Sequence, residues 1–151
     1  MLKDIFMSEQ KKIIYSYGER DSIVKLLKEL MRTYHVFAFV GPLGAGKTTI
    51  IRDLLKSCDV QGKITSPTFT YVNEYANAEG QKFYHFDLYR IGGVGEFQEQ
   101  GFDECLHQPK SWTFIEWPEV IAPLLQHKVC WVTFDYHEDV DKRVVVIECI
   151  E

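Results

Sequence analysis

The stretch V-F-A-F-V-G-P-L-G-A-G-K-T, from Val36 to Thr48, joins five apolar residues to a loop that contains three glycines. Because the glycines at 41, 44 and 46 have no Cβ atoms, consecutive backbone N–H groups can turn inward and form a concave nest for an anion. In a loop of the form G-x-x-x-x-G-K-T, the lysine reaches the β- and γ-phosphates, and the hydroxyl that follows it holds Mg²⁺. The stretch therefore predicts a site for a nucleoside triphosphate.

A strand and a helix are expected on the two sides of this loop. Val36 to Val40 is a short apolar run of the kind found in buried strands. From Thr49 to Lys56 the apolar residues recur at helical spacing, so the loop should open a helix whose N-terminal dipole favours the same anion. A strand, a glycine-rich loop and a helix in this order are the context that the motif requires.

Length and charge limit the classes of protein to which this chain can belong. Its 151 residues, of which 46% are hydrophobic, are expected to form one domain that spans 1–151. The formal net charge is −5 and no run of Lys or Arg is longer than Lys11-Lys12, so a protein surface that binds nucleic acid unaided is not supported. Any contact with RNA is therefore expected to depend on a protein partner.

The cysteines and the N-terminal residues exclude further classes. The four cysteines form no C-x-x-C pair and the five histidines form no H-E-x-x-H motif, so we expect neither a zinc site nor a disulfide framework. The thiols are interpreted as free and buried. Charged residues interrupt Met1 to Lys12, which argues against a signal peptide, and no apolar run reaches membrane-spanning length. The sequence thus predicts a cytoplasmic protein.

Hydrophobic periodicity predicts the remaining elements. Helical spacing occurs between Ile23 and Tyr34 and, more weakly, from Glu96 to Leu106. The predicted strands besides that of the loop are Lys12 to Tyr17, Tyr71 to Tyr75, Lys82 to Leu88, Trp112 to Ile115, Val129 to Tyr136 and Val144 to Ile150. The pattern favours a single α/β domain with a mixed, largely parallel central sheet flanked by helices, and with an antiparallel hairpin.

Two acidic residues at strand ends are candidates for chemistry beside the loop. Asp87 follows Phe83 to Phe86, and Glu116 follows Trp112 to Ile115. A triphosphatase needs a carboxylate there, because Mg²⁺ must also be held on the side away from Thr48. The run before Glu116 is more uniformly apolar, as in a buried central strand. We therefore favour Glu116 for the metal and Asp87 for orienting or deprotonating the attacking water, although these roles could be exchanged.

Thr68 and Arg90 are further candidates. Thr68 lies on a polar segment where a threonine can reach a γ-phosphate and its metal ion, but its spacing fits an ordinary turn residue after proline equally well. Arg90, shortly after Asp87, can neutralise charge in a phosphoryl-transfer transition state. For an isolated arginine, a surface salt bridge is the better interpretation.

Four segments of the chain together resemble the TsaE family, formerly called YjeE. They are G-P-L-G-A-G-K-T-T from Gly41, S-P-T-F-T-Y-V-N-E-Y from Ser66, Y-H-F-D-L-Y-R from Tyr84 and I-E-W-P-E from Ile115. Members of this family are small bacterial ATPases needed for the threonylcarbamoyladenosine modification of tRNAs. Past Pro118 the resemblance is weaker and rests on the strand pattern.

The resemblance implies cofactors, partners and residue roles. Mg²⁺ would be bound by Thr48 and Glu116, and Lys47, Thr68 and Asp87 would act in catalysis. The chemistry on tRNA would belong to TsaB/TsaD-like subunits, so this chain would act on tRNA only indirectly, with an ATPase that is slow alone and resets the partner complex. ATP would be bound by Gly41, Leu43, Gly44, Ala45, Gly46, Lys47, Thr48, Thr49 and Trp117.

The loop departs from the family pattern at Pro42, where an aspartate is usual. Proline removes one backbone N–H and fixes φ, but the nest depends mainly on later N–H groups, so we expect nucleotide binding to survive. Two alternatives to a partner-dependent ATPase stay open. One is a small-molecule kinase that uses the same loop, and the other is a nucleotide switch that does not hydrolyse.

Overall fold

The computed structural model describes residues 10–67 and 69–151, which fold around one mixed β-sheet. Within these residues the strands are β1 Lys11–Ser16, β2 Val36–Val40, β3 Val72–Ala76, β4 Lys82–Asp87, β5 Ser111–Glu116, β6 Val129–Tyr136 and β7 Lys142–Ile150. The α-helices are α1 Arg20–Leu30, α2 Lys47–Ser57 and α3 Val94–Glu99, and shorter 3₁₀ helices cover Tyr17–Glu19, Phe102–Cys105 and Pro118–Leu124.

The described strands form the sheet in the order β1-β7-β6-β2-β5-β4-β3. The four central strands β6, β2, β5 and β4 are parallel, and the outer pairs β6–β7, β7–β1 and β4–β3 are antiparallel. The predicted α/β fold with a mixed sheet and flanking helices is confirmed, and its parallel part is this central group. Strand β2 lies between β5 and β6, so the loop that follows β2 emerges from the middle of the sheet.

The two faces of the sheet bury separate clusters of side chains. Because successive residues of a strand point to opposite faces, Phe37 and Phe39 of β2 pack under α1 and α2, whereas Val36 and Ala38 pack on the side of α3. The Nε atom of Arg20 on α1 lies 2.5 Å from a carboxylate oxygen of Asp53 on α2, which ties the two helices together near the loop.

The predicted helix from Glu96 to Leu106 is wrong in its extent. Helix α3 ends at Glu99, and Gly101 follows with φ +76°, a left-handed conformation that ends an α-helix and that glycine adopts at little cost. A 3₁₀ turn, Phe102–Cys105, then completes the segment. The other predicted elements lie within a few residues of their observed bounds, and the 3₁₀ helix Pro118–Leu124 has no predicted counterpart.

The expectation that all four thiols are free is also wrong. Cys130 on β6 and Cys149 on β7 are directly opposite each other in the antiparallel register and form a disulfide. Cys58 is free and buried, and Cys105 is free and partly exposed. The pairing depends on the register between two strands, which the spacing of cysteines along the chain does not reveal.

Nothing in residues 10–67 and 69–151 has the character of a transmembrane helix, since each helix there is too short or too polar to cross a bilayer.

Candidate functional site

The glycine-rich loop joins the end of β2 to the start of α2 in a conformation that only glycine fits well. Gly41 has φ +148°, and a Cβ atom on it would lie 2.6 Å from the backbone oxygen of Phe134 on β6. Gly46 has φ +108° and immediately precedes the first residue of α2. The hydroxyl of Tyr136 donates a hydrogen bond to the carbonyl of Leu43, so β6 contacts the loop at two points.

Lys47, the first residue of α2, is buried against this loop. Its Nζ donates a hydrogen bond to the carbonyl of Gly41 and lies 3.9 Å from the centre of the Trp117 ring, a cation–π contact. Burial lowers the pKa of Lys47, and the carboxylates of Glu116 and Asp87 partly oppose this shift. The loop therefore surrounds a weakly hydrated cation that is well suited to an anionic ligand.

Glu116 ends the central strand β5 and faces the first turn of α2. Its Oε1 accepts a hydrogen bond of 2.6 Å from the hydroxyl of Thr48, and its Oε2 lies 2.7 Å from Nε2 of His85. Only 3% of Glu116 is exposed to solvent. A buried carboxylate is costly unless hydrogen bonds satisfy its oxygens, and here both oxygens have a partner.

Asp87 ends β4 and is the register partner of Glu116 on β5. Its carboxylate accepts a hydrogen bond of 3.1 Å from the backbone N–H of Tyr89. Burial raises the pKa of Asp87, the Tyr89 hydrogen bond opposes this, and the negative charge of Glu116 adds to the rise. Asp87 is thus a stronger base than an exposed aspartate, at the edge of the sheet where the loop also lies.

A cavity of about 560 Å³ connects the loop with these acids. It is lined by most of the residues that the sequence predicts for the site, namely Leu43, Gly44, Ala45, Gly46, Lys47, Thr48, Thr49, Asp87, Glu116 and Trp117. Its far end is lined by residues that the sequence analysis missed, namely Tyr15, Tyr17, Arg20, Val140, Asp141 and Arg143. They meet there because β1 pairs with β7, and no local sequence pattern reports that pairing.

The structure describes one of the two remaining candidate residues, Arg90. The other, Thr68, lies outside the described residues. Arg90 is exposed, and its guanidinium carbon lies 5.8 Å from the centre of the Phe69 ring. A smaller cavity of about 140 Å³, next to the first, is lined by both Arg90 and Asp87, so the arginine borders the site without lining its main cavity.

Trp117 has an unusual backbone conformation directly after Glu116. Its φ and ψ are +58° and +49°, a left-handed conformation that costs a bulky side chain about 1–3 kcal/mol. This conformation accompanies the contact of the indole ring with Lys47 and with Tyr89, whose ring centre is 5.0 Å away. Such strain is concentrated at functional sites in proteins.

The donors beside the loop suit one kind of metal site. Across the described part of the chain, no group of three or more His, Cys, Asp or Glu side chains is arranged to hold a metal ion by itself. Nucleotide-bound Mg²⁺ does not need such a group, because it takes one or two protein oxygens and completes its shell with phosphates and water. The hydroxyl of Thr48 and the carboxylate of Glu116 are hard oxygen donors of this type, and they are in contact.

The structure is thus an α/β protein with a glycine-rich loop between a central strand and a helix, and with two acids at neighbouring strand ends. The sequence model of the family described as "Threonylcarbamoyl adenosine biosynthesis protein TsaE" matches residues 15–145. The chain belongs to the TsaE family, as its sequence motifs predicted.

Individual relatives have the same description. A "tRNA threonylcarbamoyladenosine biosynthesis protein TsaE" of Haemophilus influenzae is 40% identical over 99 residues, which cover 66% of this chain and 61% of the relative. The protein of that name from Rickettsia felis is 35% identical over 136 residues, covering 89% of this chain and 77% of the relative. The chain thus spans less than two thirds of the Haemophilus protein.

A solved structure supports the fold. The chain resembles the crystal structure of Bacillus subtilus YdiB with a TM-score of 0.69 and 24% sequence identity, over 96% of this chain and 88% of the other. At this level of identity the likeness concerns the arrangement of helices and strands.

Proposed function

We propose that this protein binds ATP and Mg²⁺, hydrolyses ATP slowly, and serves threonylcarbamoyladenosine modification of tRNA together with partner subunits. The observation that carries the proposal is the contact between Thr48, the residue after the loop lysine, and Glu116 at the end of a neighbouring parallel strand. This is the pairing of a loop hydroxyl with a strand-end carboxylate that a magnesium nucleotide requires.

In this proposal the loop residues bind the phosphates. Backbone N–H groups of Gly46, Lys47 and Thr48 would bind an anion at the start of α2, where the helix dipole also favours negative charge. Lys47 leaves the carbonyl of Gly41 and turns its ammonium group to the β- and γ-phosphates. The cavity of about 560 Å³ extends from the loop to residues of β1 and β7, where the rest of the nucleotide would lie.

The two acids have separate roles in the proposed hydrolysis. Thr48 and Glu116 would hold Mg²⁺, which neutralises charge on the phosphate oxygens when it is bound. Asp87 orients a water molecule and accepts its proton, a role that its raised pKa favours, because a general base works best when its pKa approaches the working pH. Arg90 lines the smaller cavity beside Asp87, where its charge would oppose the negative charge that builds up in the transition state. The role of Thr68 at the γ-phosphate rests on the sequence motif alone.

The family supports the role in tRNA modification. Its description and the names of its relatives refer to threonylcarbamoyladenosine biosynthesis. With a net charge of −5, the chain is poorly suited to hold tRNA alone, so the modification chemistry would take place on TsaB/TsaD-like subunits in the cytoplasm. ATP hydrolysis would then reset the complex between turnovers.

Substitution of Lys47 with alanine tests the proposal. We expect the rate of phosphate release from ATP to fall about 100-fold, the usual effect of removing a group that stabilises transition-state charge. The rate is measured for both proteins with and without the partner subunits and tRNA. Lys56→Ala is the matched control, because Lys56 is an exposed lysine of the same helix outside the cavity.

The same measurements separate the proposal from its alternatives. A phosphorylated acceptor in place of free phosphate would indicate a small-molecule kinase. If partners and tRNA leave the wild-type rate unchanged and no complex forms, the role in tRNA modification is contradicted.

Substitution of Pro42 with aspartate is expected to change ATP affinity less than tenfold. Pro42 is exposed, and its contribution to the loop is a carbonyl that accepts a hydrogen bond of 3.2 Å from the N–H of Ala45, which any residue can provide. The change restores one N–H at the start of the loop, away from the N–H groups that follow Gly44. Calorimetric titration with a non-hydrolysable ATP analogue measures the effect, and a gain above tenfold would show that proline weakens this site.

A further inference from the structure

We infer that His85 is a positioning residue that fixes the carboxylate of Glu116 for Mg²⁺, an inference that rests on the proposed function. The sequence analysis quoted His85 within Y-H-F-D-L-Y-R but gave it no role. In the structure its Nε2 lies 2.7 Å from Oε2 of Glu116.

The position of His85 follows from the strand geometry. It lies on β4 two residues before Asp87, and alternate residues of a strand share a face, so both side chains lie on the side of the sheet that α2 covers. On the parallel strand β5, Glu116 is the register partner of Asp87 and lies two residues beyond Phe114, the register partner of His85. His85 is 2% exposed, so its imidazole, like the carboxylate of Glu116, lies in the interior of the protein.

The hydrogen bonds around His85 determine which nitrogen carries a proton. Nδ1 has no hydrogen-bond partner among the residues that the structure describes. We assign the proton to Nε2, because this tautomer donates to the Glu116 carboxylate and leaves a lone pair at Nδ1 unpaired rather than an N–H group. The polar contact of this buried side chain is therefore the one with Glu116.

The contacts with His85 and Thr48 occupy one acceptor position on each oxygen of Glu116 and leave one on each for a cation. Oε2 is held by His85 from the interior, and Oε1 accepts the Thr48 hydroxyl proton from the side of the loop. Because that hydroxyl donates its proton to Glu116, its own lone pairs stay available for a cation. Residues that orient metal ligands in this way typically change metal affinity 10- to 100-fold when they are lost.

The test compares two polar substitutions of His85 that differ in reach. Glutamine carries its amide nitrogen about as far from the backbone as Nε2 of histidine, whereas asparagine is too short to reach Glu116. The readout is the Mg²⁺ concentration that gives half of the metal-dependent gain in affinity for a non-hydrolysable ATP analogue. We expect His85→Asn to raise it at least 10-fold and His85→Gln to change it less than about threefold.

Two controls isolate the action through Glu116. With EDTA present, both variants are expected to bind the analogue as the wild type does, because His85 does not line the cavity. In a Glu116→Gln background, the His85→Asn change should add less than about twofold to the Mg²⁺ requirement, as expected when two residues act as one unit. Thermal unfolding checks that each variant is folded, and His85→Met, which has no hydrogen-bond donor to offer Glu116, replaces the asparagine variant if that one does not fold.

The outcomes separate this inference from the proposed function. If the asparagine variant needs no more Mg²⁺ than the wild type, or if asparagine and glutamine raise the requirement equally, His85 does not position Glu116. If the wild type itself shows no Mg²⁺ dependence of analogue binding, it is the proposed function that fails.

Discussion

Replacing Asp87 with asparagine is expected to slow ATP hydrolysis by a factor of about 10²–10⁴, the usual contribution of a general base. Asparagine keeps the size of the side chain and can still accept the hydrogen bond from the N–H of Tyr89, but it cannot take a proton from water. ATP affinity should change little, because the proposed contact of Asp87 is with the attacking water rather than with the phosphates. Single-turnover hydrolysis, measured beside equilibrium binding of the analogue, separates the two effects.

The same substitution is expected to stabilise the protein without ligands at neutral pH. Since the folded state raises the pKa of Asp87, mainly through burial, the folded protein binds that proton more tightly than the unfolded chain does. Ionisation of Asp87 therefore costs stability, fully above its folded pKa and not at all below its unfolded pKa. The advantage of the asparagine variant should shrink as the pH falls from neutrality to about 4, in denaturant unfolding followed over this range.

Glu116→Gln is the matched control for Asp87→Asn. Each change replaces a strand-end carboxylate with its amide, but Glu116 is the residue in contact with Thr48. We expect the glutamine variant to weaken Mg²⁺ binding and the asparagine variant to leave it nearly unchanged. If only the Asp87 change weakens Mg²⁺ binding, the two roles are exchanged.

Substitution of Gly41 with alanine is expected to lower the free energy of unfolding by about 3 kcal/mol. A Cβ atom there would lie 2.6 Å from the backbone oxygen of Phe134, and the backbone would also keep a φ of +148° that suits glycine. The neighbour is the main chain of β6 in the middle of the sheet, which cannot move aside as a flexible side chain would. Equilibrium unfolding in denaturant measures the loss.

Substitutions of two other glycines separate the stability cost of the clash from that of the backbone conformation. Gly80 has φ +78° but open space around its Cβ position, so Gly80→Ala should cost about 1 kcal/mol. Gly18 has open space and no such φ, so Gly18→Ala should cost less than about 0.5 kcal/mol. A Gly41→Ala variant no less stable than Gly80→Ala would contradict the proposed clash with Phe134.

The sequence predicted the elements that local periodicity encodes. Strand β2, the loop and helix α2 follow from an apolar run, three glycines and helical spacing, and the structure has all three. It did not predict the break after α3, because a single glycine in a left-handed conformation overrides a weak helical pattern. The disulfide between Cys130 and Cys149 depends on the pairing of β6 with β7, which no local pattern reports.

The residues of the candidate site also divide into those that local patterns predict and those that depend on strand pairing. Lys47, Thr48, Asp87 and Glu116 could be named from a motif and from acids at the ends of apolar runs, and they line one cavity in the structure. The contact of His85 with Glu116 could in principle have been predicted, since His85 lies two residues before Asp87 on one strand and their side chains share a face of the sheet. The cavity residues of β1 and β7 could not be predicted from the sequence, because their approach to the loop depends on the order of strands in the sheet.

The two contacts of β6 with the loop have a consequence for ligand binding. Phe134 lies against Gly41, and the hydroxyl of Tyr136 holds the carbonyl of Leu43, so the loop has its curved shape before any ligand arrives. A loop that had to fold around a phosphate would lose conformational entropy at that moment and bind more weakly. Here the entropy of ordering the loop is lost when the sheet folds, so a ligand would bind to a loop that already has its bound shape.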